Sequence, residues 1–205
     1  MSVKTNLLFD AAWVPGYDRW CPIPNVAVEF YPKNGHFTYG LSVDFPWWSH
    51  YSQHKFFQVL NFQFDTRYYF RKTPEDNGAA FKGLFANIYA HAGYGSICFD
   101  ANRGWMGEGL GGGLGLGYVL PISKKQHIRL EAALQLGVVV CQYDPYQYES
   151  PVQPAAHDNL YYYKWTQDAS LFQPRMYHWL WIGPTRVAIT LSADLFFRKQ
   201  KQSEK

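Results

Sequence analysis

Long stretches of this sequence alternate between apolar and polar residues. In one of them, Val187, Ile189 and Leu191 alternate with Thr190 and Ser192. Because successive side chains of a β-strand point to opposite faces, this period of two is typical of strands and not of helices. The sequence is therefore predicted to form strands that each have one apolar and one polar face.

The same alternation recurs along the whole chain, in eight segments separated by sequence rich in turn-forming residues. The segments cover approximately residues 3–12, 25–31, 37–45, 56–71, 83–97, 107–120, 128–141 and 186–197. Several exceed the roughly 5–6 residues of a globular strand and approach the roughly 9–11 that a tilted membrane strand needs. No change in composition divides the chain, so residues 1–205 are predicted to form a single domain.

The size of the apolar faces distinguishes between two kinds of closed sheet. A soluble, lipocalin-like ligand-binding barrel would turn these faces inward, but the interior of an eight-stranded barrel is only wide enough for side chains. Bulky Leu, Phe and Tyr side chains from all the segments would overfill it, whereas outside they would cover a lipid-facing band. We therefore predict an all-β, eight-stranded antiparallel up-and-down transmembrane β-barrel surrounded by outer-membrane lipid. The soluble barrel is kept as an alternative.

The glycine-rich stretch at residues 107–121, GEGLGGGLGLGYVLP, begins with the G-x-G-x-x-G pattern of dinucleotide-binding loops. That pattern requires a following helix, whereas glycine at every second position is unfavourable in a helix. We predict instead a strand whose glycines share the inward face and leave room for bulky neighbours. The glycines are Gly109, Gly111, Gly113, Gly115 and Gly117, and the neighbours include Phe85, Tyr89, His91 and Arg129.

Loop lengths give the predicted barrel an orientation. Turns at 32–35, 72–82 and 121–127 are expected at one end, and loops at 13–24, 46–55, 98–106 and about 142–185 at the other. Short turns of outer-membrane barrels face the periplasm and long loops face outside, so both termini are predicted on the periplasmic side. The start MSVKTN has no hydrophobic signal core, so export implies a leader that has been removed.

The polar faces carry charges of both signs in mid-strand. Those predicted to face the barrel interior are Lys4, Asp10, Glu29, Asp44, Asp65, Arg67, Arg129, Glu131 and Asp194. Such a set could form a path for protons or a substrate. We favour a plug of salt bridges that fills a barrel too narrow for water flow.

The composition and residue spacing argue against nucleic-acid binding and against a metal site. The formal net charge is only +3, and no Lys/Arg cluster is interleaved with aromatic residues, so no nucleic-acid partner is predicted. Cys21, Cys98 and Cys141 lack zinc-site spacing, and their odd number leaves at least one unpaired or intermolecular. His50 and His54 lie in a predicted loop without a third ligand. No metal and no cofactor is therefore predicted.

One combination of residues suggests catalysis. His91, Ser96 and Asp100 invite comparison with lipid-modifying outer-membrane enzymes. By parity along the strand, however, His91 points inward and Ser96 outward, so they share no site unless a bulge intervenes. The protein is predicted not to be an enzyme, and a lipid-modifying enzyme remains the alternative from another functional class.

The last long loop is rich in aromatic residues. Tyr177, Trp179 and Trp181 lie near a strand end, where they would belong to an interfacial aromatic girdle. The motif YYYKW lies further from any strand, and exposed Tyr and Trp side chains are frequent anchors of protein interfaces. The candidate partner-binding residues are Tyr161, Tyr162, Tyr163 and Trp165.

Motifs at both ends of the chain resemble a known family. They are VKTNLLFDAAW at 3–13, NVAVEFYP at 25–32 and GPTRVAITLSADLFF at 183–197. With the glycine-rich sixth strand and the aromatic loop, they resemble an uncharacterised, domain-of-unknown-function family of outer-membrane β-barrels from Gram-negative anaerobes, often encoded beside fimbrial subunits. The resemblance implies an outer-membrane barrel with a structural or partner-binding surface role associated with fimbriae. It implies no catalytic residues.

Overall fold

The computed structural model describes residues 1–14, 19–32, 35–50, 55–70, 81–100, 103–124, 127–147 and 175–195. These residues form strands and one short helix. The elements are β1 (Ser2–Asn6), α1 (Leu7–Asp10), β2 (Trp13–Val14), β3 (Arg19–Trp20), β4 (Asn25–Phe30), β5 (Phe37–Asp44), β6 (Trp47–His50), β7 (Lys55–Tyr69), β8 (Gly83–Asp100), β9 (Arg103–Pro121), β10 (Ile128–Gln147) and β11 (Tyr177–Asp194).

Eight of these strands form an antiparallel sheet that closes into a ring. The order around it is β5, β4, β1, β11, β10, β9, β8 and β7, and β7 pairs with β5 to complete the circle. Ring neighbours follow one another in chain order, except where β1 pairs with β11 and joins the two ends. β6 pairs with the first residues of β7, and β2 and β3 form a separate small sheet. The predicted all-β class with eight antiparallel strands is confirmed.

The ring is much longer on one side than on the other. β8, β9, β10 and β11 contain 18, 19, 20 and 18 residues, whereas β1, β4 and β5 contain 5, 6 and 8. The sheet is therefore closed only over the length of its short strands, and the long strands continue past it. We call the end where Ser2 pairs with Asp194 the terminal end, and the opposite end the extended end.

The prediction of one strand over residues 3–12 is wrong. β1 ends at Asn6 and is followed by the single turn α1. The Asn6 side chain accepts a hydrogen bond from the Leu8 amide at 3.2 Å, which is the role that makes asparagine favourable at a helix N-terminus. A local capping interaction thus overrides the alternating pattern and bends the chain across the ring.

The last strand begins earlier than predicted, at Tyr177 instead of residue 186. The pairing of β10 with β11 shifts between Gln135 and Leu136, where Thr185 is left as the additional residue of a β-bulge. Pro184 is tolerated there because it lies beside the bulge, where the ladder is disrupted. The bulge lets β11 continue through a sequence that looks like a loop, and the predicted loop at about 142–185 is correspondingly too long.

The same bulge reverses the predicted orientation of two tryptophans. One inserted residue moves every earlier side chain of a strand to the other face. Trp181 pairs with Val139 and Trp179 with Cys141, all on the inward face, while Leu180 and Ile182 point outward. The assignment of Trp179 and Trp181 to an outward aromatic girdle is therefore wrong.

The two faces of the ring differ in chemistry as the alternation predicts. Leu110, Leu114 and Leu116 of β9 are 65%, 64% and 61% exposed on the outside, whereas Gly115 and Gly117, at the alternate positions, are buried inside. The outward residues of β10 from Ile128 to Val140 are likewise apolar. The buried inward set is mostly polar or charged and includes Lys4, Glu29, Asp44, Gln63, Asp65, Arg129, Glu131, Gln135, Thr190 and Ser192.

The inward glycines of β9 lie opposite large side chains of β8. Phe85, Asn87, Tyr89 and His91 pair directly with Gly117, Gly115, Gly113 and Gly111. A Cβ atom at Gly113 would lie 2.8 Å from the Tyr89 hydroxyl oxygen, and one at Gly117 would overlap the Phe85 ring. The absence of side chains on β9 therefore makes the space that the β8 side chains fill. Arg129, which was expected among these neighbours, lies elsewhere in the interior.

Candidate functional site

A network of buried charges fills the middle of the ring. We call Lys4, Glu29, Asp65, Arg67 and Glu131 the central network. The Lys4 ammonium forms an ion pair with Glu29 and lies 2.7 Å from Glu131 Oε2. Arg67 Nη1 donates to both carboxylate oxygens of Glu131 at 2.9 Å, and Arg67 Nε donates to Asp65 at 2.5 Å. These five residues come from four different strands, so the network ties opposite sides of the ring together.

The central network is almost sealed from solvent. The side chains of Lys4, Glu29 and Glu131 are each at most 3% exposed. Glu29 Oε1 also accepts hydrogen bonds from Thr38 and, at 3.0 Å, from the Tyr69 hydroxyl. The Arg67 guanidinium lies 4.7 Å from the centre of the Phe85 ring, over its face. Buried charges are costly unless they are paired in this way, so loss of one partner should strongly destabilise the fold.

A second ion pair lies nearer the extended end. Arg186 Nη2 donates to Asp44 at 2.7 Å, and the Asn61 amide donates to the same carboxylate at 3.0 Å. The Phe9 ring of α1 stacks on the guanidinium at 5.1 Å. Arg186 was not among the predicted inward charges, because the last predicted segment began at this residue. It nevertheless has the same inward parity as Ala188 and Thr190. The helix α1 thus covers the interior on the side of the central network that faces the extended end.

A third cluster lies at the terminal end. Arg129 Nη2 forms an ion pair with Asp194 and donates to the Ser2 hydroxyl at 3.2 Å. His127 Nδ1 lies 3.3 Å from the same Asp194 carboxylate, and Phe81 covers the Arg129 guanidinium at 4.9 Å. The cluster therefore closes the interior at the end where β1 begins and β11 ends.

One of the predicted interior charges lies outside the ring. Asp10 is exposed at the end of α1, where its carboxylate accepts hydrogen bonds from Thr5 at 2.7 Å and from Asn25 at 2.9 Å. Its prediction as an interior residue is wrong because the chain turns into a helix after Asn6 and the strand parity ends there. The remaining predicted charges point inward, in the three clusters described above. Tyr161, Tyr162, Tyr163 and Trp165 lie outside the described residues.

A large cavity lies on the inward face between the second ion pair and the extended end. Its volume is about 640 Å³. Its apolar wall includes Val59, Ile97, Trp105, Tyr143 and Trp179. The space lined by the central network and Arg186, by contrast, amounts to only about 40 Å³. The interior is therefore filled in its closed part and open in its extended part.

The floor of this cavity is formed by a polar pair. His91 Nδ1 lies 3.1 Å from Asn61 Oδ1, and His91 Nε2 is buried with no hydrogen-bond partner in the described part of the chain. In the neutral ring, Nδ1–H donates a hydrogen bond to the Asn61 oxygen, and Nε2 is left as an acceptor. Gly111 lies beneath Nε2, where a Cβ atom would approach it within 2.5 Å.

An ion triad fixes the chain at the entrance to β11. Arg175 Nη2 and Nε donate to the two Glu108 oxygens at 2.7 and 3.1 Å, and Nη1 donates to Asp144 at 3.0 Å. The hydrogen bond to Glu108 raises the pKa of Arg175, so this side chain remains a cation. The triad therefore joins β9, β10 and the start of β11 at the extended end.

His91 and Ser96 do not share a site. Pairing of β8 with β7 is uninterrupted from Phe85 to Cys98, so no bulge changes the parity between the two residues. Ser96 is buried on the other face, opposite Gln58 and Met106. Over the described parts of the chain, no group of three or more His, Cys, Asp and Glu side chains is arranged to hold a metal ion. In the same parts of the chain, no helix is both long and apolar enough to cross a membrane.

The fold and its interior define a class of protein: a closed antiparallel ring of eight strands with paired charges inside and apolar side chains outside. Comparison of the sequence with protein families then identifies the particular family. The chain belongs to the family described as protein of unknown function (DUF3575), which matches residues 1–172. Comparisons with curated proteins and with solved structures gave no match.

Proposed function

We propose that this protein is an eight-stranded transmembrane β-barrel of an outer membrane, with a structural or partner-binding surface role and no catalytic activity. The observation that carries the proposal is the inverted distribution of side chains around a closed sheet. Water-soluble proteins bury apolar residues and rarely expose large contiguous apolar patches. Here Leu110, Leu114 and Leu116 of β9 face outward at more than 60% exposure. Lys4, Glu29 and Glu131, by contrast, are sealed inside.

The height of the apolar band supports a membrane as its environment. On β10 the outward residues run without a charge from Ile128 to Val140. Twelve steps of about 3.4 Å along a strand tilted by about 40° span about 30 Å along the barrel axis. The hydrocarbon core of a bilayer is also about 30 Å thick. Closure of the sheet meets the second requirement, because a strand edge in lipid would leave backbone groups without partners.

The interior supports a plug and not a pore. The free space around the central network is about 40 Å³, little more than the roughly 30 Å³ that one water molecule takes up in the liquid. Ion pairs from opposite strands cross this region, so a hydrated ion has no continuous path. In planar bilayers the purified protein should therefore show no steady single-channel steps, and regular steps of constant size would contradict the plug.

A gel assay tests the barrel itself. Closed outer-membrane barrels keep their sheet in detergent, so the unheated protein should migrate differently from the boiled protein. The heat-dependent mobility should persist in a variant that carries Asp10→Asn, because that carboxylate lies outside the interior clusters. A single mobility under both conditions, for protein extracted from membranes, would count against the proposal.

The surface role rests on the family resemblance and on the aromatic segment at Tyr161–Trp165, which lies outside the described residues. We propose a fimbrial or other envelope protein as the partner of that loop. Deletion of residues 153–173 should preserve heat-dependent mobility and abolish capture of the partner from outer-membrane extracts. Unchanged capture by the deletion variant would remove this part of the proposal.

The two alternatives receive less support. A soluble, lipocalin-like barrel would have to expose the leucines of β9 to water and bury five charges in its binding site. A lipid-modifying enzyme would need a nucleophile beside His91, and Ser96 lies on the other face of β8. Unchanged lipid A mass profiles with and without the protein are expected.

A further inference from the structure

The inward cavity near the extended end has the properties of a ligand site. Its volume of about 640 Å³ lies within the roughly 300–1,000 Å³ usual for small-molecule sites. Aromatic side chains from three strands, Trp105, Tyr143 and Trp179, line its wall. Such a site would add a binding activity to the surface role proposed above, and it does not depend on that role.

The polar groups of the cavity are few and select the chemistry of the ligand. Among its described lining residues, Glu108 is the only carboxylate, and both of its oxygens are held by Arg175. No charge in the lining is therefore left over to bind an ion. A charged ligand would lose its hydration without compensation, so the cavity favours a neutral molecule.

The floor supplies one hydrogen-bond acceptor. His91 Nε2 is buried and has no hydrogen-bond partner among the residues that the structure describes, whereas Nδ1 is held by Asn61. An unpartnered buried acceptor is unfavourable, and a bound donor would remove that cost. His91 also borders two smaller spaces beside the cavity, so its ring has room to tilt and present Nε2 to a ligand.

We propose that this cavity binds a neutral amphipathic molecule, with its apolar body against Trp105 and Trp179 and a hydroxyl or N–H head that donates to His91 Nε2. The apolar wall provides most of the affinity through burial of the body. The single acceptor on the floor provides the orientation and the preference for a donor head. Decan-1-ol represents this chemistry, and decane is the matched molecule without the donor.

Cys141 provides a direct reporter because its side chain lines the same cavity. The full-length protein is placed in lipid nanodiscs, treated with N-ethylmaleimide, and the alkylation of Cys141 is followed by peptide mass spectrometry. Decan-1-ol should slow this alkylation at least fivefold and in a saturable manner. Decane should protect at least threefold less at equal concentration in the lipid.

Two variants of β8 locate the site. A Cβ atom at Gly95 would make only ordinary contacts, the nearest at 3.5 Å, so Gly95→Leu extends into the cavity without a backbone clash. Protection by decan-1-ol should be lost in this variant. Ala92→Leu adds the same side chain to the exposed outward face of the strand and should leave protection unchanged. Heat-dependent gel mobility verifies that both variants are folded.

Two substitutions of His91 test the head-group contact. His91→Phe removes the acceptor and should reduce protection by decan-1-ol to the level seen with decane. His91→Gln restores an acceptor oxygen and should recover at least half of the difference. Absence of saturable protection in the wild-type protein, or equal protection in Gly95→Leu, would overturn the site. Equal protection by decane and decan-1-ol would overturn the donor head and the role of His91.

Discussion

Phe85 of β8 lies directly opposite Gly117 of β9, and its ring fills the space that a side chain at position 117 would need. A Cβ atom at Gly117 would also lie 2.8 Å from the Ala132 carbonyl oxygen on β10. Neither the ring nor the backbone can move away freely, because both belong to the closed sheet. The glycine is therefore a packing requirement at this point.

Gly117→Ala should for this reason lower the free energy of unfolding by about 1–3 kcal/mol, the usual cost of overpacking. Gly95→Ala is the matched control on the neighbouring strand, because a Cβ atom there has only ordinary contacts. Its effect should be within about 1 kcal/mol and of either sign. Urea unfolding in lipid vesicles, followed by tryptophan fluorescence, measures both. Equal effects of the two substitutions would contradict the packing role of Gly117.

Glu131 joins the two cations of the central network, with Lys4 at 2.7 Å and Arg67 at 2.9 Å. Glu131→Gln keeps the shape and removes the charge, which leaves both cations buried with too few partners. We expect the free energy of unfolding to fall by about 3–5 kcal/mol, as for other broken buried ion pairs.

Asp10→Asn is the control for this charge effect, because Asp10 is exposed on α1. It should cost no more than about 1 kcal/mol, the scale of exposed polar interactions. A loss of similar size in the two variants, measured by the same unfolding assay, would mean that the interior network does not stabilise the ring.

The strand faces could be read from the sequence wherever the alternation is unbroken. β9 and β10 pair in uninterrupted register from Arg129 opposite Pro121 to Gln147 opposite Arg103. Their apolar and polar faces follow the predicted parity over residues 110–120 and 128–138. Nearer the extended end the pattern reverses, because Glu108 and Asp144 have outward parity and Trp105 and Tyr143 have inward parity. Side-chain parity also predicted that Lys4, Glu29 and Glu131 point into the same interior. Nothing in the sequence showed which of these charges form pairs. The pairing depends on the stagger between strands that are far apart in the chain.

The predictions failed where a local interaction changes the parity. Asn6 caps α1 and ends β1 early, so Asp10 leaves the interior. Thr185 forms a bulge, so Trp179 and Trp181 turn inward. Trp179 thereby lines a cavity that the sequence did not predict. A Gly-Pro pair at 183–184 was the available signal for that bulge. The periodicity of a strand cannot reveal a single inserted residue until the pairing partner is known.

Leu114 lies near the middle of the outward face of β9 and is 64% exposed. In a bilayer, Leu114→Arg should cost about 2–4 kcal/mol, because the guanidinium would be placed near the midplane. The same change at Ile122, beyond the end of β9, should cost no more than about 1 kcal/mol. If water surrounded the ring, both substitutions would be ordinary surface changes within about 0.5 kcal/mol.

The solvent around the outward face can also be identified directly. A nitroxide spin label is attached to Leu114→Cys in a protein whose Cys21, Cys98 and Cys141 are replaced by alanine, and the protein is reconstituted in lipid vesicles. The spin relaxation is then measured with oxygen, which concentrates in hydrocarbon, and with a neutral nickel chelate, which stays in water. We predict strong relaxation by oxygen and almost none by the nickel chelate. Strong relaxation by the nickel chelate, with a weak response to oxygen, would place Leu114 in water and contradict the transmembrane barrel.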